Sequence, residues 1–344
     1  MPLGTFKRTG KIIAALTCVV VAVIVMMTGL SACVPSYPKE TLAEAVKEVC
    51  KAEYDMDVEV TLVGSTIGIY YPMNGLLDAG LGISESAWDT ISNLLLIASR
   101  VVLSTDADIK FYCVITQDEK LPELQVVIIK YVEDVKKGMY QHISRGESFK
   151  RTLFSINLTP QARKERSVEQ VFDRLNLDDG TRRNVLDEFF RSAPTKLSDI
   201  GYWKGHFYLK DINMEEFLAA QIENRLKLDF RGDKKLMELF EYRSSESEFE
   251  KEDDARYFYV KFKIADVKEE AGEGVREMNV LKVQEILKVA NEVVCGYRFK
   301  DFDYLIMDDQ LENSRLKVKG VDVYDFDQSK AAVVDIVNAP GGYF

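Results

Sequence analysis

The chain has 344 residues, 47% of them hydrophobic and 10% aromatic, which is enough apolar material for a sizeable core and a length that suggests two domains. A formal charge of −11 argues against the phosphate backbone as a partner, so no nucleic acid is expected. Two histidines, and cysteines without a CxxC spacing, give no ligand set, so neither a cofactor nor a metal is expected.

The N-terminus carries the most specific pattern. Lys7, Arg8 and Lys11 precede an apolar run from Ile12 to Leu30, followed by Ser31, Ala32 and Cys33. A basic flank, an apolar core and small residues before a cleavage point describe an export signal. The ending Leu30-Ser31-Ala32-Cys33 resembles the lipobox of bacterial lipoproteins, in which signal peptidase II cuts before the cysteine and that residue carries acyl chains. The resemblance implies that residues 1–32 are a signal peptide and that Cys33 is the lipidation site. The alternative is an uncleaved single-span anchor, because the apolar run approaches the roughly 20 residues that cross a bilayer. Both readings place the bulk of the chain outside the cytoplasm, on the cell membrane or outer membrane, facing the periplasm or exterior. Val34 stands where an aspartate would retain an enterobacterial lipoprotein in the inner membrane, which favours the outer one. Residues 33–40, with Pro35 and Pro38, form a short tether that reaches roughly 25 Å at most.

Thr41-Leu-Ala-Glu44 reads as a capping box, and Leu42, Val46, Val49 and Cys50 mark one face of a helix ending near Tyr54. Two alternating strands follow, Val58 to Leu62 and Ile67 to Tyr71, joined at Gly64-Ser65 as a hairpin. Apolar residues at Ile91, Leu94, Leu95, Ala98, Val101 and Val102 repeat at helical spacing between Ala87 and Leu103. Strands over Ile109 to Thr116 and Leu124 to Val132 complete an αββαββ order. Residues 141–212 read as a mainly helical insert, with Ser167-Val-Glu-Gln170 as a second capping box, a turn at Asp178-Asp179-Gly180, a helix over Val185 to Arg191, and one strand over Trp203 to Leu209. The acidic run from Ser244 to Asp254 reads as a solvated loop.

A shift of 192 residues carries the helix at 91–102 onto Val283, Ile286, Leu287, Ala290, Val293 and Val294 without a gap. The same shift places Tyr112 to Ile115 on Tyr304 to Met307, and Leu124 and Val126 on Leu316 and Val318. Asn213-Met-Glu-Glu216 opens an earlier helix of this second half. The expected fold is therefore α+β, with two related αββαββ units at 41–140 and 213–344, an imperfect internal duplication separated by the insert.

Residues suited to chemistry are sparse. His142 lies in a charged stretch and His206 on an alternating segment, and no HExxH, Walker loop or GxSxG occurs. Gly64 to Gly68 comes nearest to the last of these, with Thr66 at the nucleophile position, and reads as a turn. Gly80-Leu-Gly82 reads as a loop. Asp301, Asp303, Asp308 and Asp309 flank a strand and are the candidate carboxylates for hydrolysis, although strand ends collect aspartates for turns as well. If Phe258, Val260, Phe262 and Ile264 face the core, Tyr257, Tyr259, Lys261 and Lys263 share the other face and form a candidate partner contact. Cys50, Cys113 and Cys295 read as buried free thiols, with one disulfide and one free thiol as the alternative.

The leading expectation is a lipid-anchored envelope protein, not an enzyme, that binds a partner or supports assembly at the membrane. An envelope hydrolase acting on glycan or peptide through carboxylates is the alternative, and a small-ligand or lipid-binding module is the third. Metabolic labelling with a fatty-acid probe checks the anchor: the wild type should label and lose its first 32 residues, and Cys33→Ser should do neither.

Overall fold

A computed structural model describes residues 37–80, 82–189, 194, 196–267 and 273–327. The signal stretch, Cys33 and the residues after 327 lie outside these. Among the described residues, no helix is long and apolar enough to cross a membrane.

The first half runs α1 (Leu42–Tyr54), β1 (Glu59–Val63), β2 (Thr66–Met73), α2 (Glu85–Leu103), β3 (Phe111–Asp118) and β4 (Leu124–Tyr131). Then come α3 (Val132–Met139), α4 (Arg145–Lys150), β5 (Leu153–Leu158), α5 (Pro160–Leu175), α6 (Asp179–Phe189), β6 (Gly201–Trp203) and β7 (His206–Tyr208). The second half runs α7 (Met214–Gly232), α8 (Lys234–Leu239), β8 (Phe240–Glu252), β9 (Ala255–Asp266), α9 (Glu273–Gly296), β10 (Tyr304–Asp309), β11 (Ser314–Lys319) and α10 (Gly320–Tyr324).

The fold is α+β, and the two halves share a topology. Strands β1 to β4 lie side by side in sequence order, antiparallel at both outer pairs and parallel at β2–β3. Strands β8 to β11 repeat this arrangement, with β9–β10 as the parallel pair. Each parallel pair is bridged by the long helix of its half, α2 or α9, as parallel neighbours require. The helical positions related by the 192-residue shift are buried in both halves, except half-buried Leu95.

The first of the two shifted strands does not follow that shift. Tyr112 lies under α2 in the cluster with Leu94 and Ala98, whereas Tyr304 is half-buried on the outer face of its sheet, stacked on Tyr257. Leu305 and Met307 are the β10 residues that face α9. Adding one residue between helix and strand restores the equivalence of β3 and β10, because a one-residue slip turns every strand side chain to the opposite face, whereas Val126 and Val318 face α2 and α9 as the shift of 192 places them.

Four further expectations change. Thr41 ends a 3-10 turn and makes no side-chain capping bond; its hydroxyl points back to the Pro38 carbonyl. Ser167 sits inside α5 and donates to the Arg163 carbonyl, because that helix already begins at Pro160, where the missing N–H costs nothing. Trp203 to Leu209 is a two-strand hairpin, turned at Lys204-Gly205 with positive φ at both residues. The mainly helical insert also supplies an unexpected strand, β5, which joins β4 as the fifth of the first sheet.

The acidic run is a strand as well. Beyond a bulge between Tyr242 and Ser244, Glu246, Glu248 and Glu250 pair with Lys261, Tyr259 and Tyr257, while Phe249 packs against the core. Charge on an edge strand discourages pairing with other chains, so solvation and strand structure coexist here.

The layers stack in the order α1 and α2, first sheet, α7, second sheet. All eight residues of β3 are buried, because α2 covers one face and the apolar cluster of the second half covers the other. Phe217 of α7 meets Phe111 and Tyr131 of the first sheet and Tyr297 at the end of α9, with centroids 5.1, 6.0 and 5.8 Å away. Asp211 accepts from the Ser65 backbone and hydroxyl at 2.8 Å, fastening the β1–β2 turn to the approach of α7. Gly64 in that turn has φ +59°, and a Cβ there would collide with the Asp211 carboxylate. Truncating the shared aromatic should therefore be felt in both halves. Phe217→Ala should cost roughly 3–5 kcal/mol of unfolding free energy in a urea titration, with one transition for the two sheets.

Candidate contact surface

The register of the second sheet places its outer face residue by residue. The central strand β9 contributes Tyr257, Tyr259, Lys261 and Lys263, and β10 adds Tyr304, Ile306 and Asp308. Arg315, Lys317 and Lys319 line the β11 edge, and Glu246, Glu248 and Glu250 the β8 edge. Phe258, Val260, Phe262 and Ile264 are buried on the inner face, as the alternation predicts. The outer face thus runs from an acidic edge through tyrosines to a basic edge.

The tyrosines are held as a unit. Tyr257 stacks on Tyr304 at 5.4 Å and lies 5.7 Å from Tyr259, and the Lys317 ammonium sits 3.8 Å from the Tyr304 ring centroid. Tyr259 donates to Glu252 at 3.0 Å, and burial together with that carboxylate pushes its hydroxyl up to about 12. Lys261 pairs with Glu248 at 3.2 Å, and Lys263 is exposed. Lys263, Arg315, Lys317 and Lys319 all reach solvent. Tyr304 and Lys317 escaped sequence reasoning because they join this face only through pairings between distant strands.

The four candidate aspartates do not converge. Asp301 and Asp303 both pair with Arg256, and hydrogen bonds from its backbone and side chain hold the Asp303 carboxyl below the usual carboxylate range. Asp308 pairs with Arg315 at 3.1 Å. Asp309 is buried, meets the Lys282 ammonium at 3.3 Å, and accepts from the backbone of Leu311 in the turn that follows. Each has a structural task. His142 and His206 are exposed on different elements. Thr66 is buried, and its hydroxyl accepts from the Ile212 backbone, which leaves it no role as a nucleophile. Cys50 and Cys113 are buried free thiols, and Cys295 is a half-buried one. No group of residues able to hold a metal ion occurs among the described residues.

A groove of about 870 Å³ opens between the first sheet, α7 and the β8 edge. Val127, Ile129 and Leu153 line it from one side and Glu223, Ser247 and Phe249 from the other. Lys196 reaches Glu246 and Glu248 at 3.1 and 2.5 Å and lies on its rim. Burial pushes the Glu223 carboxyl up, a backbone bond from Ser247 partly offsets this, and Glu246 and Glu248 add to the rise. Sequence reasoning missed Glu223 because it lies on a helix among other charges.

Comparison with protein-family models, with curated proteins and with solved structures finds no match to this chain.

The sign of the Glu223 shift makes a prediction. A carboxyl whose folded pKa is raised contributes stability that is present below its unfolded value, about 4.3, and lost as pH rises through the folded value. Urea titrations across that window should show the wild type losing stability relative to Glu223→Gln as pH rises.

Proposed function

We propose that the chain is a lipid-anchored envelope protein that works by contact, using the outer face of the second sheet to hold a partner protein. The observation carrying this reading is the ordered tyrosine row, Tyr257, Tyr259 and Tyr304, on a sheet face whose basic edge is exposed. Aromatic residues of this kind supply much of the energy at protein interfaces with little ordering cost, because stacking has already fixed them. Opposite charges at the two edges would set the orientation of the partner. The anchor reading rests on the N-terminal pattern and the lipobox resemblance.

A hydrolase reading is supported by one feature, the raised Glu223 carboxyl in a groove beside Glu246 and Glu248. The same groove, with its apolar side, would also suit a small ligand.

Crosslinking in intact envelopes separates these readings. A defined partner should be captured by the wild type and by Glu223→Gln and Asp303→Asn. The double variant Tyr257→Ala/Tyr259→Ala should lose it while remaining folded, since losing a central aromatic anchor costs about 2 kcal/mol, a roughly thirtyfold weakening. If the tyrosine variant binds normally and Glu223→Gln abolishes the cellular phenotype, the carboxylate enzyme is the better account.

A further inference from the structure

The elbow joining α3 to α4 carries apolar side chains that the core does not use. Tyr140 is 71% exposed, Met139 65% and Phe149 62%, and the first two are the most exposed large apolar side chains among the described residues. Exposed apolar residues are ordinary when scattered singly, whereas a cluster marks a surface that meets something. The same stretch, residues 132–151, holds five Lys and Arg against three Asp and Glu, in a chain whose net charge is −11. Those three acids are already paired, Glu133 with Lys136, and Asp134 and Glu147 with Arg151. Arg145 at the tip is exposed.

The position of the elbow matters as much as its composition. The Val132 N–H that opens α3 donates to the Lys110 carbonyl, and the Lys110 N–H donates to Ser65, so the elbow projects from the end of the first sheet where β2 and β3 begin. Tyr37 reaches that end too. Its N–H donates to the Ser104 carbonyl at the C-terminus of α2, and its side chain packs against the same cluster as Val135. Tyr37 lies four residue steps after Cys33, a reach of at most about 14 Å. An anchor at Cys33 would therefore hold this end of the molecule, and not the outer face of the second sheet, against the bilayer.

We propose that the α3–α4 elbow is a membrane-contact patch, in which Met139, Tyr140 and Phe149 enter the interfacial region of an anionic bilayer and Arg145 engages its headgroups, joined by Lys150 on exchange from its 3.5 Å pair with Asp229. It rests on the anchored reading given above. Tyrosine and phenylalanine favour that interface, and lysine and arginine extend their charged ends to phosphate while their stems cover apolar surface. An anchor at one residue leaves the body free to turn about its tether, so a second attachment of this kind fixes how the body is oriented.

Tryptophan fluorescence of the acylated full chain in vesicles tests this directly. Tyr140→Trp and Phe149→Trp should each add emission that brominated acyl chains quench, roughly halving it, as expected for a side chain about 5–10 Å below the headgroups. Leu121→Trp, placed on the β3–β4 turn at the opposite end of the sheet, should add emission that is not quenched. The parent chain, with Trp88 and Trp203, supplies the background. Quenching should be strong with phosphatidylglycerol present, and weaker in pure phosphatidylcholine or in Arg145→Glu/Lys150→Glu. A chain that stays on the vesicles with unquenched Tyr140→Trp emission overturns the patch and leaves the anchor standing. A chain that is unacylated and does not stay on them overturns the anchored reading, and the patch with it.

Discussion

The two large sheets are arranged around a helix with two buried sides. α7 presents Phe217 to the first sheet, and other members of its wide apolar arc, including Leu226 and Phe230, complete the core beneath the second. Its counterpart α1 buries only Leu42, Val46 and Cys50, a single stripe that suits a helix covering one sheet. The duplication is therefore asymmetric. One copy keeps its first helix on the outside, and the other lends its own to both sheets, so the halves share a core and not merely a linker.

Where the halves meet, the apolar contact is bordered by buried charge. The Arg151 guanidinium bonds to Asp134 at 2.8 Å and Glu147 at 2.6 Å and lies 4.8 Å from the centroid of the Tyr297 ring. Tyr297 donates to Asp134 at 2.5 Å, and Arg225 of α7 reaches Glu147. Such a network adds little over an apolar equivalent when intact, yet removing any member strands a buried charge. Its bonds tie α7 and the residue after α9 to the end of the first sheet.

The fold was legible where periodicity dominates. The alternation of Phe258 to Ile264 and the helical spacing of Ile91 to Val102 are local patterns, and both faces came out as read. Errors arose where two local signals competed. In Ser244 to Asp254 the density of charge masked an alternation that also makes a strand, and at Ser167 a capping motif was complete in letters while Pro160 had already started the helix. Of the contact surface, Tyr257, Tyr259, Lys261 and Lys263 were readable from one strand. Tyr304, Lys317 and the Glu223 groove depend on which strands and helices become neighbours, which no local pattern encodes.

The bulge in β8 has a larger effect than its size suggests. Ahead of it, Phe240 and Tyr242 pair with Asp266 and Ile264, so even-numbered residues point inward; beyond it, Ser245, Ser247 and Phe249 do. Arg243 is thus a phase shifter, the extra residue that lets a strand begin with an aromatic core face and continue with glutamates outside. Its side chain is exposed and open to exchange, but its unpaired place is not: drawn into the ladder, it would aim Glu246, Glu248 and Glu250 at the core. The polarity of the whole acidic edge is carried by the parity of one unpaired residue, a form of information that substitution scanning would overlook.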